Sequence, residues 1–265
     1  MCDHCGCAIT HGGEQPQHHA AGPLVESVTV LRDLLSENDR LAAHNREHFD
    51  AHGVLVVNLM SSPGAGKTSL LERTLEALRG RRIAVIEGDL ATENDAERIR
   101  AKGVPAVQIT TGTACHLDAR MIHEALDGLV LEGLELLFIE NVGNLVCPAS
   151  FDLGQHLDVA LLSVPEGDDK PQKYPVMFRA ADLLLLTKTD LLPFLPEFDP
   201  ARAEASVRRL ASSAPVLRVS CRSGAGIDTW YGWLEGELAR HRDALRRAGR
   251  RVSDEHAAVG ARVTA

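Results

Sequence analysis

The stretch Ser61-Ser62-Pro63-Gly64-Ala65-Gly66-Lys67-Thr68 decides the fold of this chain. It follows an apolar run at residues 54–60 and precedes a segment with helical periodicity at residues 69–78. A strand, a glycine-containing loop, a Lys-Thr pair and a helix, in that order, are typical of a phosphate-binding P-loop. Backbone N–H groups of such a loop and the N-terminus of its helix point at the phosphates. The stretch therefore predicts a binding site for a nucleoside triphosphate.

Individual positions of the loop have predictable roles. Lys67 can reach the terminal phosphates, and the hydroxyl of Thr68 can bind Mg²⁺. Ser61 stands where the first glycine of the consensus usually lies. The residues that we expect to contact the nucleotide here are Gly64, Ala65, Gly66, Lys67, Thr68 and Ser69.

The composition narrows the class of protein. The chain has 265 residues, is 45% hydrophobic and carries a net charge of -9. That length and apolar content suffice for one sizeable core, and the acidic balance argues against nonspecific binding of nucleic acid. We find no signal peptide and no apolar run long enough to span a membrane, so we expect a cytoplasmic protein. In that compartment, the six cysteines are better suited to metal binding than to disulfides.

Apolar strands alternate with helices along the chain. Such alternation predicts an α/β fold, a P-loop G domain with a mostly parallel sheet and helices on both faces. Ligands of such sheets bind at the carboxyl ends of the strands. We predict a flexible Cys/His metal-binding tail at residues 1–23, one G domain with an N-terminal helix at 24–247, and a disordered tail at 248–265. The predicted strands cover residues 54–60, 82–87, 106–110, 134–139, 159–164, 182–186 and 216–219.

Two elements near the end of the domain predict guanine as the base. Thr187-Lys188-Thr189-Asp190 resembles the Asn-Lys-x-Asp base-recognition element of GTPases. The carboxylate of Asp190 can accept hydrogen bonds from N1–H and the 2-amino group of guanine, donors that adenine lacks. The stem of Lys188 can lie over the base. The second element, Ser220-Cys221-Arg222-Ser223-Gly224, resembles the loop that completes a G-protein base pocket with backbone N–H groups.

A third motif, Glu140-Asn141-Val142-Gly143, resembles the Asp-x-x-Gly switch of GTPases, with Glu in place of Asp. Glu140 can hold Mg²⁺ through water, and the N–H of Gly143 can sense the γ-phosphate. Asp89, after the second predicted strand, is another candidate acid near the metal. The magnesium set is therefore Thr68, Asp89 and Glu140, and the catalytic set is Lys67, Asp89 and Glu140.

The position after the switch glycine bears on the rate of GTP hydrolysis. Asn144 stands where many GTPases carry a glutamine that orients water, and we find no convincing arginine finger. We therefore expect GTP to be hydrolysed slowly to GDP and phosphate unless a partner or a dimer completes the site.

Two sets of thiols are candidate metal ligands. Cys2, Cys5 and Cys7 place three thiolates within six residues, and the terminal amine could add a fourth ligand. Such a set suits square-planar Ni²⁺ as well as tetrahedral Zn²⁺. Cys115 and His116 do not complete a tetrahedral site, although a two-fold dimer would supply two of each. Cys147 could join or replace a ligand there, but a lone cysteine is more often a small buried hydrophobe.

Together these motifs resemble the HypB family of hydrogenase nickel-incorporation GTPases. The resemblance implies a SIMIBI-type G domain that dimerises when GTP binds. It also implies nickel delivery to the large subunit of [NiFe] hydrogenase, with the zinc- and nickel-binding protein HypA as a partner. The matching stretches are Cys2-x-x-Cys5-Gly6-Cys7, Ser62-Pro63-Gly64-Ala65-Gly66-Lys67-Thr68, Glu87-Gly88-Asp89, Cys115-His116, Glu140-Asn141-Val142-Gly143-Asn144-Leu145-Val146-Cys147-Pro148 and Asp169-Lys170-Pro171-x-Lys173-Tyr174-Pro175.

The resemblance also assigns the metal ligands. It makes Cys2, Cys5 and Cys7 a tight nickel site, and Cys115, His116 and Cys147 a weaker Ni²⁺ or Zn²⁺ site at the dimer interface. Because Cys147 lies four residues after Gly143, ordering of the switch by GTP would move it, and metal affinity would depend on the nucleotide.

Three alternatives remain open from the sequence. A chaperone GTPase for a cobalamin-dependent mutase shares the P-loop and the switch, but it does not predict the cysteines. A P-loop small-molecule kinase is an enzyme of another class, and the two base-binding elements argue against it. In the third alternative, the N-terminal thiols form a structural zinc knuckle.

Overall fold

In the residues that the structure describes, the sheet contains seven strands, all parallel, in the order β3-β2-β4-β1-β5-β6-β7. The computed structural model describes residues 24–89, 94–112, 114–210 and 212–249, with side chains from residue 34 onward. The strands are β1 (Leu55–Ser61), β2 (Ile83–Asp89), β3 (Ala106–Thr110), β4 (Leu136–Glu140), β5 (Leu157–Ser163), β6 (Leu183–Thr187) and β7 (Val216–Arg218). The predicted α/β class with a parallel sheet is confirmed.

Helices cover both faces of the sheet. They are α1 (Leu24–His52), α2 (Lys67–Ala77), α3 (Asn94–Arg100), α4 (Ala119–Leu126), α5 (Lys170–Lys173), α6 (Pro175–Ala180), α7 (Pro200–Arg209) and α8 (Ile227–Arg247). Short 3₁₀ turns lie at Pro148–Ser150, Val164–Glu166 and Thr189–Phe194. No helix in the described residues combines the length and the apolar character needed to cross a membrane.

The core lies in two layers, one on each side of the sheet. On one side α2, α3 and α8 pack against the strands, and the indole of Trp230 donates a 2.9 Å hydrogen bond to the hydroxyl of Thr74. On the other side, α1 and α4 cover one half of the sheet around Phe49, while α6 and α7 cover the other half around Phe178. Because both faces are buried, the strands are apolar without alternation.

Six of the seven strands differ from their predicted bounds by one or two residues at an end, and only the strand at 106–110 matches. The second strand extends to Asp89, so Gly88 and Asp89 lie in the strand and not in a loop, because the parallel ladder with β3 continues to their level. A Cβ on Gly88 would lie 2.8 Å from the side chain of Leu117, so this position requires glycine. Helix α4 begins at Ala119, because Asp118 caps it by accepting a 2.8 Å hydrogen bond from the N–H of Met121.

A histidine cluster joins three elements at the amino ends of the strands. The N–H of Val56 in β1 donates to Nδ1 of His156 over 3.0 Å, and Nε2 of His156 lies 3.1 Å from a carboxylate oxygen of Asp50 at the end of α1. The ring of His241 in α8 lies 4.3 Å from that of His156. Burial, with the nearby His241 as second cause, lowers the pKa of His156 to about 4.

The predicted tail with Cys2, Cys5 and Cys7 lies outside the described residues, as do residues 250–265 of the predicted C-terminal tail.

Candidate nucleotide and metal sites

The P-loop leaves β1 and enters α2 through two glycines in the left-handed region. Gly64 has φ of 74° and Gly66 has φ of 103°, conformations that strongly favour glycine. Lys67 and Thr68 form the first turn of α2, directly after Gly66 as its N-cap. The buried Lys67 ammonium donates to the hydroxyl of Ser61 over 3.1 Å. The serine that replaces the consensus glycine thus orients the lysine.

Glu140, the acid of the predicted switch motif, lies beside the first turn of α2. The hydroxyl of Thr68 donates to Oε1 of Glu140 over 2.9 Å, and the ammonium of Lys67 lies 4.0 Å from the same oxygen. Glu140 ends β4 and is 6% exposed. The structure therefore brings together three predicted residues of the magnesium and catalytic sets.

Glu87 is a second acid in the corner between the first turn of α2 and the ends of β2 and β4. It was not among the predicted site residues. It pairs in register with Glu140 on the neighbouring strand, and the two carboxyls share a hydrogen bond. Burial, followed by the charge of Glu140, raises the pKa of Glu87 to about 10, while burial also raises the pKa of Glu140 against the charge of Lys67. Two buried carboxyls this close resist being ionised together.

Two buried oxygens in this corner are suited to a hydrated cation. Within the described part of the chain, Oε1 of Glu87 and Oε2 of Glu140 have no hydrogen-bond partner. Buried carboxyl oxygens of this kind fit Mg²⁺ and its water shell. Asp89 lies two residues beyond Glu87 on the same face of β2 and is half-buried at the end of the strand. The only sequence signal for Glu87 was its place in the stretch Glu87-Gly88-Asp89.

Glu166 holds the other end of the P-loop. The hydroxyl of Ser62 contacts the carboxylate of Glu166, which also accepts hydrogen bonds from the N–H and the hydroxyl of Ser163 over 2.7 and 2.6 Å. Glu166 belongs to the 3₁₀ turn after β5, the strand that pairs with β1. Its contact with Ser62 therefore holds the start of the P-loop against that turn. The sequence did not single out Glu166, because nothing in the local pattern shows that β5 lies beside β1.

The two base-binding elements meet at the ends of β6 and β7. A carboxylate oxygen of Asp190 accepts a 2.6 Å hydrogen bond from the hydroxyl of Ser220, which itself accepts from the N–H of Ser223 over 3.1 Å. Lys188 has φ of 57°, a left-handed conformation that is uncommon for a residue with a side chain. Arg222 is exposed beside this pocket. The structure thus joins the two predicted elements through the hydrogen bond between Asp190 and Ser220.

Thr187 and Cys221 connect the base site to the phosphate site. The hydroxyl of Thr187 donates a 2.7 Å hydrogen bond to the carbonyl of Ala65 in the P-loop. Thr187 therefore braces the two loops from the position where the GTPase consensus has asparagine. The guanidinium of Arg73 in α2 donates to the carbonyl of Cys221 over 3.0 Å, which adds a second link.

The switch loop after β4 lies against the P-loop. A Cβ on Gly143 would lie 2.9 Å from the backbone of Pro63, so only glycine permits this approach. The next residue points the other way: the amide of Asn144 donates to the carbonyl of Cys115 over 3.2 Å. Its oxygen accepts from the N–H of Val146 over 2.9 Å. The loop is thus in contact with the P-loop on one side and with Cys115 on the other.

The candidate metal ligands converge at that second contact. The sulfur atoms of Cys115 and Cys147 lie 3.0 Å apart as thiols, and Nδ1 of His116 lies 3.6 Å from the sulfur of Cys115. One ligand atom from each residue lies within 4.8 Å of the others. Burial lowers the pKa of His116, against the charge of Asp118, so its imidazole is neutral at pH 7. Two thiols and a neutral imidazole suit Zn²⁺ or Ni²⁺.

A second cluster in the described residues, Asp50, His156 and His241, has the same compactness. Its hydrogen bonds argue against a metal. Because Nδ1 of His156 accepts from the N–H of Val56, the proton of the neutral ring is on Nε2, where it is donated to Asp50. A metal at Nε2 would have to displace that proton and leave an imidazolate. This cluster is better explained as a hydrogen-bonded connection between α1, β1 and α8.

The parallel sheet, the P-loop and the adjoining base-binding loops define a P-loop nucleotide-binding protein of the GTPase class. Residues 55–218 match the family described as CobW/HypB/UreG, nucleotide-binding domain. The chain belongs to the HypB family of hydrogenase maturation factors. It is 56% identical over 248 residues to hydrogenase maturation factor HypB from Azotobacter vinelandii, a match that covers 91% of this chain and 81% of the relative.

Solved structures of the same family have the same fold. The crystal structure of HypB from Helicobacter pylori in complex with nickel is 42% identical with a TM-score of 0.74, covering 78% of this chain and 97% of that chain. The structure of HypB from Archaeoglobus fulgidus is 40% identical with a TM-score of 0.72, covering 77% of this chain and all (100%) of that chain. The family resemblance inferred from the motifs is thereby confirmed.

Proposed function

We propose that this chain is a nickel-binding GTPase that helps to insert nickel into [NiFe] hydrogenase, and that GTP controls its hold on the metal. The observation that carries the proposal is the contact between the switch loop and the thiols, made by Asn144 and Cys115. The names of its relatives and the nickel complex of the Helicobacter pylori protein support the choice of client and metal.

The phosphates of GTP would bind at the start of α2. Backbone N–H groups of residues 64–69 would surround them, and Lys67, held by Ser61 and Glu140, would place its charge at the terminal phosphates. Thr68 and Glu140 are the best placed residues to hold Mg²⁺, with Asp89 at the outer edge of the corner. When bound there, Mg²⁺ neutralises charge on the phosphates as it develops.

Hydrolysis should be slow in the isolated chain. The side-chain amide of Asn144 uses its N–H on Cys115 and its oxygen on Val146, so it is committed to the loop and not to an attacking water. A GTPase that lacks a positioned water and an arginine finger turns over slowly. This property suits a switch whose GTP state must persist while a metal ion is transferred.

Coupling between the two sites follows from contact. A γ-phosphate bound at the P-loop would fix Gly143, which already touches Pro63, and the next residue holds the carbonyl of Cys115. A change in the loop would therefore alter the distance between Cys115 and Cys147. Since binding linkage is reciprocal, nickel at the thiols would also change the affinity for GTP.

We propose that a two-fold dimer completes the metal site. Three ligand atoms from one chain leave a tetrahedral ion short of a ligand. Val146, which is 50% exposed beside the buried Cys147, offers an apolar contact for a second copy. The family resemblance supports an N-terminal nickel site at Cys2, Cys5 and Cys7, and HypA and the hydrogenase large subunit as partners. Zinc is proposed as an alternative ion because thiolates suit it as well. We also propose a cytoplasmic location.

The function can be tested in a hydrogenase-producing host that lacks its own maturation GTPase. We expect the chain to restore nickel in the purified hydrogenase large subunit, and we expect Thr68→Ala and Cys115→Ala to fail. A folded control at an exposed residue outside both sites, Arg79→Ala, should restore it. Equal nickel in the large subunit with and without the chain would overturn the proposal, as would full activity of Cys115→Ala.

A further inference from the structure

Three histidines from two helices lie together on the surface formed by α1 and α4. His44 and His48 are one helical turn apart on α1, and their ring centres are 4.6 Å apart. His123 of α4 lies 5.4 Å from His44 and 6.3 Å from His48, again between ring centres. Neither the P-loop nor the Cys115, His116 and Cys147 site uses these residues.

A buried asparagine sets the tautomer of His123. The amide nitrogen of Asn45 donates to the carbonyls of Ala119 and Leu153 over 2.8 and 3.2 Å, which identifies the other atom of the amide as its oxygen. That oxygen lies 3.2 Å from Nδ1 of His123, so Nδ1 carries the proton. The neutral ring therefore has its lone pair on Nε2. Histidines that bind metals are usually held in this way through their other nitrogen.

The scaffold under the three rings is fixed, while two of the rings are free to turn. Asn38 of α1 accepts a 2.9 Å hydrogen bond from the N–H of Ala119 at the start of α4, and the two helices pack around Asn45, which is fully buried. His44 and His48 are exposed, so their rings can rotate toward His123 without disturbing the core. The position of the backbone is thus set before a ligand binds.

An ion can reach the histidines from an open groove on the surface. The groove, of about 540 Å³, lies beside the rings, lined by Arg40, Leu41, Ala43, His44, Glu47 and His123. Glu47 places a carboxylate in this groove next to the imidazoles. Three imidazoles bound to one ion at about 2.1 Å have ring centres roughly 5 Å apart, a value within the observed range of separations.

We propose that His44, His48 and His123 form a third metal site, which binds a divalent ion of borderline hardness such as Ni²⁺ or Zn²⁺ through three imidazole nitrogens and water. Imidazole ligands suit both ions. The site is separate from the thiol site. The two are near in sequence, because His123 lies on α4, whose N-cap Asp118 is two residues after His116. The groove beside the three histidines is lined by residues of α1 and α4 and by none of the P-loop or the switch, so we expect metal binding there not to depend on GTP.

The test uses the full chain with Cys2, Cys5, Cys7, Cys115 and Cys147 replaced by alanine, which removes the thiolate ligands. Binding of Ni²⁺ alone and of Zn²⁺ alone is measured by isothermal titration in this background. His44→Ala, His48→Ala and His123→Ala are then added one at a time. The matched control is His52→Ala, one turn beyond His48 on the same helix.

We expect one ion per chain whose affinity falls at least tenfold in each of the three variants and stays within twofold in His52→Ala. The histidines of the N-terminal segment are present in every variant, so they cannot cause a difference. Because His44 and His48 are exposed, their variants should fold even if His123→Ala does not. Affinities within twofold in both the His44 and His48 variants would overturn the proposal, as would an equal loss in His52→Ala.

Discussion

The side-chain amide of Asn144 donates a 3.2 Å hydrogen bond to the backbone carbonyl of Cys115. This bond joins the loop after β4 to the thiol pair, while the preceding residue, Gly143, lies directly on Pro63 of the P-loop. Two consecutive residues of one loop therefore connect the sites: Gly143 lies on the nucleotide site and Asn144 on the metal site.

Thr187→Val removes the hydrogen bond that braces the base site on the P-loop. The substitution preserves the shape of the side chain but leaves the carbonyl of Ala65 without its 2.7 Å partner. We expect the free energy of unfolding to fall by about 1–2 kcal/mol, because a buried acceptor loses its donor. Guanine nucleotide affinity should fall with it. Thr187→Ser retains the hydroxyl and should recover both values in denaturant unfolding and nucleotide titration; no recovery would contradict the brace.

Asp190→Asn changes the base that the pocket prefers. An asparagine at this position presents one acceptor and one donor, which match N1–H and the 2-carbonyl of xanthine better than the two donors of guanine. We expect GTP affinity to fall about 100-fold, because a charged hydrogen-bond acceptor is lost, and affinity for xanthosine triphosphate to rise. Competition titrations with both nucleotides provide the measurement. A ratio of affinities unchanged from the wild type would show that Asp190 does not bind the base.

The sequence predicted the positions of the strands well, since each long apolar run is buried between two layers of helices. It also predicted that Cys147 could join Cys115 and His116, and the structure brings the three together. Glu87 and Glu166 were missed because their roles arise from neighbours distant in sequence. Glu87 acquires its role from pairing with Glu140 across two strands, and Glu166 from contact with Ser62.

The short helical turns were missed for a similar reason. The turns at Pro148–Ser150, Val164–Glu166 and Thr189–Phe194 are too short to have a periodic pattern. Their positions depend on how the ends of β4, β5 and β6 are held. The brace by Thr187 was also invisible in the sequence, where this residue was only a departure from the consensus asparagine.

His156 makes the stability of the protein depend on pH. Its pKa of about 4 in the folded state is below the ordinary value of 6.5, so the unfolded chain takes up the proton first as the pH falls. Stability from this group is therefore complete above pH 6.5 and is lost progressively between pH 6.5 and pH 4. Relative to His156→Asn, the wild type should lose about 1 kcal/mol of unfolding free energy between pH 7.5 and 5.5.

Denaturant unfolding of both proteins across that range provides the measurement. Asparagine can still accept the hydrogen bond from Val56 but does not titrate, so the variant corrects for other groups. Parallel pH curves for the two proteins would contradict a neutral, buried His156.

Cys147→Ala should remove nickel from the site formed by Cys115, His116 and Cys147. With Cys2, Cys5 and Cys7 replaced, we expect Ni²⁺ to produce a thiolate charge-transfer absorption that disappears in the Cys147 variant, because that sulfur lies 3.0 Å from Cys115. Affinity at this site should fall at least tenfold. Cys221→Ala, which alters a half-buried thiol in the base loop, is the matched control and should retain the absorption. An unchanged spectrum in Cys147→Ala would exclude this residue as a ligand.

In the proposed function, the nucleotide controls the binding of nickel through the switch loop. The most direct measurement is a Ni²⁺ titration of the chain with Cys2, Cys5 and Cys7 replaced, once with GDP and once with a non-hydrolysable GTP analogue, while the oligomeric state is followed by sedimentation. The account predicts affinities that differ at least fivefold, about 1 kcal/mol of coupling, together with a nucleotide-dependent dimer. Asn144→Ala should reduce the difference. Equal affinities and an unchanged oligomeric state in the two nucleotide states would contradict the account.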